Sequence, residues 1–335
     1  MHSLFVNDMG YMKETDYLMN ETEIMYRQTD IWKIFRYNAF TLSQKNMWNY
    51  GGTPFSNNAS LRWQSMTMNR YEWDVKETFA WNWLDSRLLR GGPDVRFGSY
   101  FLTSAKFNTD KAKRMMFMLK YEGDHNFEGN RFNTISPSLT FRLGNHVYLS
   151  GQLDYAWNTD EMQYVATTSP LSSSSLTPYY YVMGHMDQKT YGLTLKLQVN
   201  VTPDISIQFY GAPFTSIAKY DDFKLAADTK SHTFENRFQR IDPDHLTYAD
   251  GVYTIGEGAG QMPFRNPDFR FNEFRSNLVA RWEYLPGSTL YFVWEHRMSN
   301  RDNWYSSGWG SNLATIVKTD WVCILRDSLK LTSCL

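Results

Sequence analysis

Hydrophobic and polar residues alternate one by one over long stretches of this chain. The run Leu193, Leu195, Leu197, Val199, Val201 is interleaved with Thr194, Lys196, Gln198 and Asn200. A period of two places the first set on one face of a β-strand and the second on the other. Beyond Pro203-Asp204 the pattern resumes as Ile205, Ile207 and Phe209 against Ser206, Gln208 and Tyr210. Ile135, Leu139, Phe141 and Leu143 oppose Ser138, Thr140 and Arg142. After Gly144-Asn145, Val147, Leu149, Leu153 and Tyr155 oppose Ser150, Gln152 and Asp154. Tyr71, Trp73, Val75, Phe79, Trp81 and Trp83 alternate with Glu72, Asp74, Lys76, Thr78 and Asn82. Phe274, Leu278, Ala280, Trp282 and Tyr284 oppose Arg275, Asn277, Arg281 and Glu283, and Leu290, Phe292 and Trp294 follow the Pro286-Gly287 turn.

The connections alternate as well. Short turns fall near Asp30, Asn69-Arg70, Asn108-Thr109-Asp110, Gly144-Asn145, Pro203-Asp204 and Pro286-Gly287, and longer polar segments cover 48–57, 86–97, 124–131, 158–187, 212–272 and 299–315. Short turn followed by long loop, repeated, is an antiparallel meander with two unequal ends, as in outer-membrane barrels with short periplasmic turns and long extracellular loops. Strands of ~10–14 residues fit a tilted crossing, which takes ~9–11, whereas most soluble strands have ~5–6. The expected fold is all-β: an antiparallel up-and-down transmembrane β-barrel, partial, with about 12–14 strands, the thirteenth near 316–325.

Composition narrows the class. The 335 residues carry 34 basic and 35 acidic side chains, so no basic domain offers itself to nucleic acid. Aromatics reach 17%, high for any soluble sheet. No run approaches the ~18 apolar residues of a spanning helix, and residues 1–8 lack the basic and apolar regions of a signal peptide. The two cysteines, Cys323 and Cys334, form no zinc spacing or disulfide framework. Cost assigns the faces. Lys196, Arg142 and Arg281 would each cost ~2–4 kcal/mol against mid-bilayer lipid, so they are read, with Glu283, as lumen-facing. Trp81, Trp83, Trp282 and Trp294 are read as a lipid-facing belt, because an indole has an apolar body and one N–H for the wet side. A soluble sandwich with one buried and one solvated face satisfies the same alternation.

Candidate chemistry is sparse. Tyr121 to Asn130 gathers three carboxylates and His125 with oxygen ligands for Ca²⁺, but without EF-hand spacing. Asp242-Pro243-Asp244-His245 is acidic, Gly256 to Gly260 lacks the lysine of a phosphate loop, and Ser172 to Ser175 reads as a loop tip. Glu283 and Glu295 are carboxylates of the type glycosidases use in pairs, yet scattered charge also hydrates a pore. Trp304, Tyr305 and Trp309 are candidate glycan-stacking loop aromatics. No catalytic motif, metal site or cofactor is expected.

The C-terminal third carries a more specific signal. Asn266-Pro267-Asp268-Phe269, Phe274 to Val279, Arg281 to Tyr284, Pro286 to Leu290 and Trp294 form one block. With Arg90-Gly91-Gly92-Pro93 and Tyr210-Gly211-Ala212-Pro213-Phe214, it resembles an uncharacterised Bacteroidota outer-membrane barrel family. Members of that family carry an N-terminal carbohydrate-binding family-9-like domain ahead of the barrel. The resemblance implies an outer-membrane location, lipid as partner, and a non-catalytic barrel that anchors a carbohydrate-recognising module and handles or passes glycans. The family's first domain has no counterpart here, and the last residues depart from its closing strand. The expected organisation is therefore a barrel domain over 1–311, lacking its first strands, with an atypical tail over 312–335. A soluble all-β glycan-binding or glycan-hydrolysing protein and a diffusion channel are the alternatives.

Overall fold

The structure, a computed structural model, describes residues 17–52, 54–81, 83–171, 179–302 and 322–333. It is all-β. The strands are β1 (Leu18–Gln28), β2 (Phe35–Trp48), β3 (Pro54–Thr67), β4 (Glu72–Trp81), β5 (Trp83–Asp85), β6 (Val95–Phe97), β7 (Tyr100–Asn108), β8 (Met115–Asn126), β9 (Arg131–Leu143) and β10 (Val147–Thr168). They continue as β11 (Tyr180–Asn200), β12 (Ile205–Ala226), β13 (Phe238–Arg240), β14 (Leu246–Ala249), β15 (Val252–Ile255), β16 (Met262–Arg265), β17 (Phe269–Leu285), β18 (Ser288–Asp302) and β19 (Val322–Ser333). One helical turn, α1 (Phe234–Arg237), precedes β13.

Fourteen strands form one antiparallel sheet in the order β1-β2-β3-β4-β7-β8-β9-β10-β11-β12-β17-β18-β19, with β13 added beside β12. β5–β6 and β14–β16 are small separate sheets. β1 and β19 stand at the two ends of the order, and no pairing between them is present among the described residues. The short turns all lie at one end, at 29–34, 68–71, 109–114, 144–146, 201–204 and 286–287. Their chemistry is local. Pro286 presets its own φ and Gly287 adopts φ +81°, the pair a tight turn of type II requires.

The register carries the alternation across the sheet. One hydrogen-bonded row reads Tyr26, Phe40, Trp63, Val75, Ala105, Tyr121, Ile135, Tyr155, Tyr191. A second reads Met115, Phe141, Leu149, Leu197, Phe209, Leu278, Trp294. The neighbouring row on the other face reads Thr41, Arg62, Lys76, Ser104, Glu122, Thr134, Ala156, Thr190, Ser216. The first row leaves the apolar band beyond Tyr191, where its next members are Thr215 and Asn272. The band therefore climbs obliquely to the hydrogen bonds, as it does where strands are tilted and staggered.

Among the described residues nothing covers this apolar face. Leu42, Leu61, Leu153 and Trp282 are 55, 56, 49 and 49% exposed. The buried core lies instead at the long-loop end, where β10, β11 and β12 reach 22, 21 and 22 residues. At about 3.4 Å per residue these strands run ~70 Å. The expected loops over 158–187 and 212–272 are corrected accordingly: strand continues to Thr168, restarts at Tyr180, and runs through Ala226 and again from Phe269. Within the expected loop over 299–315, β18 continues to Asp302, and the strand expected near 316–325 overlaps the last described strand, Val322–Ser333, over 322–325; residues 303–321 lie outside the described residues. Tyr121 to Asn126 belong to strand β8, so the supposed calcium loop shrinks to 127–130.

Two clusters close this extension. Val182, Met186, Ala218, Tyr220 and Phe223 pack with Ile255 and Phe264 of the small sheet β14–β16. Met162, Met183 and Phe238 pack with Leu89 and Val95 from the β4–β7 connection. Phe223 sits 4.9 Å from the Tyr253 ring and 5.0 Å from the Phe264 ring. Truncation of a buried aromatic costs about 3–5 kcal/mol. We expect Phe223→Ala to lower urea-unfolding stability within that range and to open 227–268 to limited proteolysis while the main sheet keeps its far-UV signature.

Candidate functional site

Two arrangements of polar side chains are candidates. The first is the polar face of the band, where charges pair along and across strands. Arg62 donates from Nε to Asp74 Oδ1 at 2.8 Å, and Gln64 donates to Asp74 Oδ2 at 3.2 Å. Ser136 and Gln152 both donate to Asp154, at 2.6 and 2.8 Å. Arg275 and Arg297, direct cross-strand neighbours, share one carboxylate: their Nε atoms lie 2.9 and 2.8 Å from Glu273. Like charges opposite each other repel, and Glu273 resolves the conflict. Tyr210, Asn277 and Glu295 complete a cleft of about 440 Å³ beside them.

The second arrangement is an ion-paired collar on the strand extension. His185 Nδ1 lies 3.0 Å from Glu161 and its Nε2 lies 3.6 Å from Asp187. Lys224, 1% exposed, donates to the Glu161 carbonyl at 2.6 Å and lies 3.4 Å from Asp222. Its ammonium also stands 5.5 Å from the Phe234 ring. Arg237 is fully buried, pairs with Glu128, donates to the Arg96 carbonyl and stacks on Phe234. Glu128 in turn accepts from Gly98 N–H at 3.0 Å, and Asn130 accepts from Glu161 N–H at 2.7 Å. Six chain segments, around 96–98, 128–130, 161, 185–187, 222–224 and 234–237, are thus tied together by groups whose desolvation requires partners. Asp222 makes the collar possible locally: it adopts φ +44° at the β12 register shift opposite Met183 and His185, a bulge that turns the strand. Among the described residues no three His, Cys, Asp or Glu side chains converge on a metal position. The collar can clamp segments.

Each residue singled out from sequence has a position. Lys196 lies exposed on the polar face. Arg142 is on that face at the short-turn rim and donates to the Lys111 carbonyl at 3.2 Å. Arg281 and Glu283 are brought together at 2.6 Å. Glu283 and Glu295 stand on neighbouring strands, with Glu295 opposite Asn277, six residues from Glu283 along the ladder. Trp81, Trp282 and Trp294 lie on the apolar face, Trp81 stacked on Phe79 at 5.6 Å. Trp83 instead leaves the main sheet for the β5–β6 ribbon, 5.5 Å from Tyr100. Trp304, Tyr305 and Trp309 lie outside the described residues. Sequence reasoning missed Glu161, His185, Lys224 and Arg237; only the isolated charges in otherwise apolar surroundings, such as Lys224 between Phe223 and Leu225, hinted at them.

Asp160 gives the collar a pH signature. Burial strips its carboxyl of water and Glu161 adds repulsion, which raises its pKa above the ordinary carboxylate value, although Met162 N–H donates to it at 2.9 Å. A raised carboxyl stabilises the fold when protonated, and that contribution is lost as pH rises through the folded-state value. Asp160→Asn keeps the acceptor and removes the charge. The variant should be more stable than the parent at pH 7, with the difference vanishing below about pH 4, as read by thermal unfolding across pH.

No curated protein and no solved structure matches the chain. The domain of unknown function DUF5916 matches residues 3–332, which takes in the apolar band, the collar and nearly all of β19. The chain belongs to the DUF5916 family.

Proposed function

We propose that this chain is the wall of an outer-membrane β-barrel, a non-catalytic domain that holds an extramembrane collar at the cell envelope. The observation that carries this reading is the uncovered apolar face, continuous over the sheet and flanked by aromatic rows. Tyr71 and Trp73, with Trp282 and Tyr284, mark the short-turn side; Trp81, and Phe274 on β17, lie eight to ten residues further along the same strands. That separation is about 27–34 Å along a strand, or about 21–26 Å along the axis at ~40° tilt, which suits an apolar band ~25 Å tall. A soluble protein would leave this face as a continuous aggregation surface. Two charges fall in its rows: Glu77 on β4, which accepts from Thr103 at 2.7 Å, and Asp327 on β19, at the register position opposite Trp294. β1 and β19 both run toward the short turns, so one further antiparallel strand between them gives an even-stranded, closed wall without edges. Short turns then face the periplasm and the collar faces outward. By the resemblance noted from sequence, envelope glycans are the ligand class for the collar and polar face.

The reading is tested by a pair of neighbours. Leu195 is on the apolar face and Thr194 on the polar one. Leu195→Arg should cost about 2–4 kcal/mol of folding free energy in lipid vesicles and sharply reduce insertion, while Thr194→Arg should insert as the parent does. Equal behaviour of the two variants, or a parent that is monomeric and folded in buffer without detergent, rejects the barrel.

A further inference from the structure

We infer that the cleft between the turns 68–71 and 109–114 is a headgroup site for an anionic glycerophospholipid. This rests on the membrane reading and adds to it a specific ligand. The cleft, about 420 Å³, lies at the short-turn border of the apolar band. Its lower wall is apolar and open: Met68, Tyr71, Met115 and Phe117 are all exposed. Tyr71 and Phe117 flank Phe107, at ring distances of 5.9 and 6.5 Å, so the wall is a fixed aromatic surface suited to an acyl chain. Its upper rim carries Arg70 and Lys113.

These two cations have no ion pair or side-chain hydrogen bond among the described residues. Of the neighbouring charged groups, one cation is ion-paired and one carboxylate, which also lines the cleft, is held by backbone. Lys111 pairs with Glu72 at 2.5 Å, and the buried Asp110 accepts from Ala112 N–H at 2.9 Å. The backbones that present the cations are held: Arg70 N–H donates to the Thr67 carbonyl at 2.9 Å, Tyr71 N–H to Thr67 Oγ1 at 3.1 Å, and Lys113 N–H to the Asp110 carbonyl at 3.1 Å. Arg70 stands at φ +60°, which fixes the direction of the turn. A phosphate arriving from the bilayer meets two free cations above an apolar wall, on backbones already ordered, so only the side chains remain to be fixed. Charge complementarity selects an anionic headgroup over a zwitterionic one, because a net negative lipid keeps a charge that no choline offsets.

The test uses the full chain folded in detergent, with retained lipid read by native mass spectrometry against phosphatidylglycerol and phosphatidylcholine in equal amounts. The parent should retain phosphatidylglycerol about tenfold more than phosphatidylcholine. The double variant Arg70→Gln, Lys113→Gln should lose about tenfold in phosphatidylglycerol with phosphatidylcholine unchanged, whereas Lys189→Gln, Lys219→Gln on the extension should leave both unchanged. A folded, detergent-dependent chain with no preference for the anionic lipid, or a double variant that keeps the preference, overturns the headgroup site alone. A chain that needs no detergent and retains neither lipid overturns the barrel with it.

Discussion

A β-strand commits alternate residues to opposite faces, so a strand can exchange its apolar face only by exchanging which residues are apolar. β11 makes that exchange once. Val199, Leu197, Leu195, Leu193 and Tyr191 occupy one face, and then Lys189, Asp187 and His185 follow on it. On the other face Gln198, Lys196 and Thr194 give way to Met186 and Val182, both buried. The switch divides the molecule. Below it the apolar side is uncovered and the polar side is a hydrogen-bonded wall. Above it the formerly polar side needs an apolar cover, and Ile255 and Phe264 supply it from the longest connection. The collar's buried charges are then a consequence of folding that connection back onto strands that keep charged residues at their edge.

The band was legible because its alternation recurs on strand after strand, broken only at single positions such as Glu77 and Ser276. The six short turns and the direction of the meander follow from Pro-Gly, Gly-Asn and Asn-Arg signals that act within four residues. The extension was not legible, for two physical reasons. Its apolar parity is reversed, so 180–190 does not continue the pattern of 191–201. Register shifts between Asp160 and Gln163, and between Tyr164 and Ala166, also slip the phase of β10. A stretch with reversed and slipped phase reads as a polar loop even when it is strand. Trp83 shows the converse: it keeps the parity of Trp81 in sequence, but the chain leaves the sheet between them. The collar was least legible of all. Glu128 and Arg237 are 109 residues apart, and Glu161 and Lys224 are 63 apart. Only three long strands laid side by side bring them together.

The two faces of the band differ in what they constrain. Pairs such as Arg62–Asp74 and Arg281–Glu283 are partly exposed, and exposed ion pairs contribute about 0–1 kcal/mol each. They keep the polar face near neutrality without holding the wall together; the antiparallel ladder does that, strand by strand. Substitution on the polar face therefore costs little and changes what that surface recognises. On the apolar face each side chain contributes through its surroundings, and a charge there is expensive wherever those surroundings are lipid. Specificity in such a sheet is free to vary on one face only, and the Arg275–Glu273–Arg297 group beside Tyr210 is one place where charges gather on that face.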